Sequence, residues 1–256
     1  MTVRIEKRPG AERGSRTPEK IQSLSSGAIG TVTDAVKDAA GGAIRAVKPR
    51  LRGWIHAFTA PLALAACIVL TVLAPGPALT WACAAYLACS LFLFANSGVY
   101  HISYGHWPRR VTAVLRRVDH ANIYLLIAGT YTPLSVALLD RGMTLLVLGI
   151  VWGGALAGII TSLAWRSAPR WLTTLFYILL GWVAIWFLPQ FWMTGGPAIV
   201  WLLVSGGVVY TVGGAVYARR WPDPDPRWFG FHEIFHTCTV AAWACQCTAC
   251  YLAVLG

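Results

Sequence analysis

An all-α integral membrane protein, a bundle of seven transmembrane helices, is the fold this sequence predicts, and three observations predict it. Of the 256 residues 57% are apolar and only 12% charged, with a mean hydropathy of +0.59, far from the balance of a water-soluble domain. After Arg52 the chain is a series of apolar stretches, each near the roughly 20 residues that a helix needs to cross a bilayer. The stretches are continuously apolar rather than alternating with period two, which selects helices over a barrel.

Taken in order, the spans are expected at 54–73, 79–101, 119–139, 142–164, 171–188, 197–217 and 231–254. The run from 171 to 218 carries no charge, and the stretch Leu-Pro-Gln-Phe-Trp-Met-Thr-Gly-Gly-Pro at 188–197 supplies the breaker that divides it. Trp54, Trp81, Trp107, Trp165, Trp171, Trp192, Trp221 and Trp228 fall near span ends, where amphipathic rings anchor a helix at the interface. The first ten residues lack the apolar core of a secretory signal, so the spans themselves direct targeting.

Orientation follows from Lys and Arg, which accumulate on the cytoplasmic side. Of the 21, eleven precede residue 53, and Arg109, Arg110, Arg116, Arg117, Arg166, Arg170, Arg219, Arg220 and Arg227 fill alternate connections, leaving only Arg141 in the others. The N-terminus is therefore expected inside and the C-terminus outside. The net charge of +11 is accounted for by this topology and by anionic lipid headgroups, with no nucleic-acid partner needed. The plasma (cell) membrane is the expected location, with the protein crossing it several times.

Two regions are expected: a basic cytoplasmic tail over 1–50 and the seven-span domain over 51–256. The segment 1–26 has too few apolar residues to fold alone. From Ile29 the apolar residues Ile29, Val32, Val36, Ala40, Ala43 and Val47 recur at helical spacing, predicting an amphipathic surface helix that runs to Pro49. All seven cysteines lie in spans. Cys245 and Cys247 point about 200° apart on a helix, so packing as small apolar side chains is their expected role. The odd count also speaks against a closed disulfide framework.

Ionisable groups at membrane depth are costly and mark sites. Only Asp119 and Glu233 carry negative charge within the spans, and no Lys or Arg lies there. The second span ends with Ser97 and His101, four residues apart and so on one face. The third opens with Asp119. The seventh opens with His232-Glu233-Ile234-Phe235-His236, the H-E-x-x-H spelling of many soluble zinc proteases. Here the two histidines open a membrane span, so the protease reading is set aside, while His101 lies at the same level as a third imidazole. Three histidines that leave a fourth position for water make a catalytic-type Zn2+ site. Asp119 either binds the metal or holds its water, Ser97 hydrogen-bonds that water or a substrate carbonyl, and Glu233 faces either the water or the interface. His56, His106 and His120 are expected to be interfacial and satisfied by water.

Three segments carry a resemblance to a known family: Ser97-Gly98-Val99-Tyr100-His101, the run from Asp119-His120-Ala121-Asn122 to Gly129-Thr130-Tyr131-Thr132-Pro133, and Gly230-Phe231-His232-Glu233-Ile234-Phe235-His236. Over roughly residues 50 to 256 the chain resembles the hemolysin III proteins of the progestin and adiponectin receptor superfamily. The resemblance implies seven helices with the N-terminus inside and zinc held by His101, His232 and His236, with Asp119 and Ser97 beside the metal water. A wider group that includes alkaline ceramidases shares this set, which implies hydrolysis of a lipid amide or ester. The bacterial branch carries a hemolysin name, which implies a pore-forming cytolysin. A sensor or receptor braced by structural zinc is the third expectation. The partners expected are membrane lipids, among them a substrate that arrives from the inner leaflet.

Overall fold

The computed structural model describes residues 49–165 and 169–256. The basic tail and the surface helix expected from Ile29 lie outside the described residues, apart from Pro49 and Arg50. Among the described residues seven α-helices follow one another: α1 Trp54–Leu73, α2 Gly76–Ile102, α3 Arg109–Leu138, α4 Arg141–Ala164, α5 Arg170–Gly181, α6 Leu188–Arg219 and α7 Phe231–Leu255. A 3-10 segment, Trp182–Trp186, joins α5 to α6. Among the described residues there is no strand beyond one isolated bridge between Asp225 and Phe229.

Six of the helices are long and apolar enough to cross a membrane, while α5 with its 3-10 continuation, Arg170–Trp186, is shorter. Connections of two residues, Ala74-Pro75 and Leu139-Asp140, force α1 against α2 and α3 against α4 as antiparallel neighbours. Asp140 caps α4 by accepting hydrogen bonds from the N–H groups of Gly142 and Met143 at 2.8 and 3.1 Å. The most buried of the long helices is α3, which touches α2, α4, α5, α6 and α7 and so forms the axis of the bundle.

The surface confirms the solvent. Phe58, Leu62, Val72, Trp81, Met193 and Trp201 all stand exposed, while Tyr86, Phe94, Tyr124 and Phe191 fill the interior. A chain apolar both inside and out is at rest only in lipid, and the protein is a multi-pass membrane protein. The eight tryptophans expected as anchors are all exposed. Helices approach closely where small residues meet: a Cβ placed on Gly129 would lie 2.6 Å from the Cβ of Cys89, and one on Gly213 equally near that of Cys238. All seven cysteines are free, five of them buried.

Three boundaries differ from the sequence reading. Helix α3 starts at Arg109 rather than 119, because Pro108 opens it and four arginines can ride its first turns outside the lipid. The expected span 171–188 is instead α5 broken at Gly181. There the Tyr131 hydroxyl donates to the Gly181 carbonyl at 2.7 Å and accepts from the Ala184 N–H at 2.6 Å. Backbone groups freed by the break thus find a side-chain partner inside the bundle, as the lack of water at that depth requires. The breaker expected over 188–197 narrows to one residue. Helix α6 already begins at Leu188 and kinks at Gly196, whose φ of +80° only glycine adopts easily, before Pro197 restarts the helix.

Candidate metal centre

At the arginine-rich end of the bundle, α2 finishes and α7 begins. The last two turns of α2 bury Ser97 and His101, and the first two turns of α7 present His232 and His236 from the facing side. Among the described residues, the group of ionisable side chains placed to hold a metal ion is His101, His232 and His236, with one ligand atom from each lying within 4.8 Å of the others. Ring centroids are 4.9 Å apart for His101 and His232, 5.1 Å for His101 and His236, and 4.6 Å for His232 and His236.

The donor set fits a metal. The Nε2 atoms of His101 and His232 are 3.3 Å apart. Two nitrogens bound to one tetrahedral zinc at about 2.0–2.1 Å would stand about 3.4 Å from each other. His236 Nδ1 and Ser97 Oγ are buried without a hydrogen-bond partner among the described residues. Three neutral imidazoles suit a borderline cation such as zinc, and the surrounding apolar shell keeps competing water away.

From α3, Asp119 reaches the group with Oδ2 3.5 Å from His101 Nε2. It lies almost three turns into its helix, and because α3 begins early, the charged residues before it extend beyond the site. Glu233 is placed differently. Its Oε1 accepts a hydrogen bond from Arg52 Nε at 2.8 Å and its Oε2 one from the Gly230 N–H at 2.9 Å, so that it caps the start of α7 from within the first turn. Of the sequence-predicted residues, the structure brings together His101, His232, His236, Asp119 and Ser97, while Glu233 faces Arg52.

The segment before α1 is pressed against the site. Gly53 has φ +90°, and a Cβ there would lie 2.6 Å from the Cβ of His101, so both the turn and the close approach require glycine. The N–H of Arg50 donates to the Arg227 carbonyl at 2.9 Å, and the Arg50 guanidinium lies over the Trp228 ring at 4.6 Å. His106 is exposed, as expected. His120 is half-buried: its Nδ1 donates to the Arg116 carbonyl at 2.7 Å, which leaves Nε2 to accept from the Tyr217 hydroxyl at 3.3 Å. His56 departs furthest from the interfacial place expected of it. It is 3% exposed, stacked on His236 with ring centroids 3.9 Å apart and planes 8° from parallel.

Below the histidines the bundle is hollow. A cavity of about 1450 Å³, its open mouth included, is lined at one end by Ser97, Asp119, His232 and His236. It continues between α3, α5, α6 and α7 past Ile127, Trp182 and Leu203 to Leu134 and Phe191. The part of it open to the centre of a water molecule is about 130 Å³, and its walls away from the histidines are mostly apolar. A break in a helix, rather than a motif, makes the room: Gly181, Trp182 and Ala184 all line it.

Comparison with known proteins agrees with the geometry. Over 142 residues the chain is 32% identical to a Hemolysin-3 homolog of Bacillus subtilis (strain 168), a match covering 55% of this chain and 65% of that protein. Over 110 residues it is 36% identical to Hemolysin-3 of Bacillus cereus, covering 42% of this chain and 49% of the relative. The chain thus matches less than two thirds of the length of either relative. The family model described as Haemolysin-III related matches residues 44–247, taking in every helix from α1 to α6 and most of α7. The chain belongs to the haemolysin III-related family.

Proposed function

We propose that this protein is a zinc-dependent hydrolase of a lipid amide or ester, working within the membrane. One observation carries the reading: the three-histidine group, with Asp119 and Ser97, lies at the head of a long apolar cavity rather than on a watery cleft. A ligand that fills such a space has a polar head and an aliphatic chain.

Bound by His101, His232 and His236, zinc supplies a Lewis acid and brings the pKa of a water to about 7. The chain's own residues supply the rest. Asp119, 3.5 Å from His101, accepts the proton of the attacking water and returns it to the departing amine or alkoxide. The Ser97 hydroxyl, buried and without another partner among the described residues, donates to the carbonyl oxygen as negative charge develops there. Glu233 supports the site through its cap on α7 and its pairing with Arg52. Ile127, Trp182 and Leu203 hold the acyl chain and exclude bulk water.

The same reading puts the arginine-rich end on the cytoplasmic side of the plasma membrane, with the tail over 1–50 inside and substrate arriving from the inner leaflet. The relatives' hemolysin names suggest cytolysis instead. A water-filled pore needs polar lining across the whole bilayer, whereas here the charge-capable groups gather at one end of a mostly apolar cavity. Purified protein is expected to release fatty acid from an N-palmitoyl amide, and to lose that turnover on chelation of zinc and in His236→Ala. Turnover that survives both treatments contradicts the proposal.

A further inference from the structure

His56 is a histidine where packing alone would favour a phenylalanine. It sits two residues into α1, stacked on the face of His236 and packed at near right angles to Phe94, whose centroid is 5.2 Å away at 81°. Both of its ring nitrogens are buried, and among the described residues neither makes a well-formed hydrogen bond, the backbone of His236 being a poorly aligned neighbour. Leaving such groups unpaired in an apolar interior costs stability that an all-carbon ring of similar shape would not. The stacking explains why the ring is flat against His236 but not why it carries nitrogens.

Two explanations can be separated by geometry. As a fourth metal ligand, His56 would have to aim a nitrogen at the point where the other three converge. Imidazole lone pairs lie in the ring plane, so two rings stacked at 3.9 Å and 8° send theirs side by side rather than together. The converging group does not include His56. The alternative is a ligand in the cavity, which His56 lines at the same end as Ser97 and Asp119. This packing leaves the ring little freedom to rotate, so a hydrogen bond from its edge has a set direction at little further entropic cost.

We infer that His56 is a substrate-binding residue, hydrogen-bonding the polar head of the amphiphile whose aliphatic chain fills the cavity, and that it does not bind the metal. This rests on the reading of the cavity as a lipid site. It adds a specificity element supplied by α1, a helix that contributes none of the residues assigned above. A head that offers a hydroxyl or amide beside the carbonyl satisfies the imidazole, and a bare alkyl head leaves it unpaired.

The test uses the full-length protein in detergent with radiolabelled N-palmitoyl ethanolamine as the probe, and compares wild type with His56→Phe and His56→Gln. His56→Phe keeps an aromatic ring on His236 but offers no hydrogen bond. It is expected to retain the wild-type metal content and to bind the probe about tenfold more weakly, the scale of one lost hydrogen bond. His56→Gln, polar but not aromatic, is expected to bind within about threefold of wild type. Should the Phe variant fail to fold, His56→Leu gives the same comparison. Equal binding by wild type and the apolar variant overturns the inference and leaves the hydrolase reading standing, as does loss of metal from the apolar variant with binding intact. Wild-type protein that does not bind the probe overturns both. Weaker binding by the apolar variant without any turnover by wild type supports the role of His56 and overturns the hydrolase.

Discussion

Glu233 lies inside H-E-x-x-H, yet both its oxygens are committed to structure, one to Arg52 and one to the backbone of Gly230. The carboxylate is fully buried and Arg52 is its ion-pair partner. Arg52→Ala is therefore expected to lower stability by about 3 kcal/mol, because it leaves a buried charge unpaired. Adding Glu233→Gln to that variant is expected to recover part of the loss, which thermal unfolding in detergent would register. Additive losses would place the pair outside the energetics of the site. The histidine trio was legible in the sequence because two members repeat at four residues and the third ends a span at the same depth. The pairing of Glu233 with Arg52 spans 181 positions, and the stacking of His56 on His236 is equally non-local. No spacing within α1 or α7 announces either contact.

At the scale of elements, the hydropathy pattern gives the number and order of helices but not their breaks. An uninterrupted apolar run reads as one span, whereas α5 stops at Gly181 because Tyr131, fifty residues earlier, offers its hydroxyl to both sides of the break. The early start of α3 was hidden for the opposite reason. Its first turns carry arginines that a search for apolar residues discards, although they extend a helix without entering lipid. Tyr131→Phe is expected to leave the Gly181 carbonyl and Ala184 N–H without that partner. The resulting loss is about 1–3 kcal/mol, measured as an earlier unfolding transition with the metal content unchanged. An unaltered transition would mean that the break is held by other contacts.

For the whole molecule, five of the other helices pack against α3 and leave a cavity that no composition reveals, since an apolar side chain lining a void reads the same as one packed in a core. The polar head of that cavity was legible as four charge-capable residues at one depth. Its apolar body emerged only with the break of the chain after α5, where Gly181, Trp182 and Ala184 line it. Everything proposed for the site depends on a metal held where α2 and α7 meet. Metal analysis of the detergent-purified protein, wild type beside His101→Ala, tests this most directly. The account predicts about one zinc per chain in wild type and less than about one tenth of that in the variant. A wild-type protein without metal, or a variant that binds as much as wild type, would contradict it.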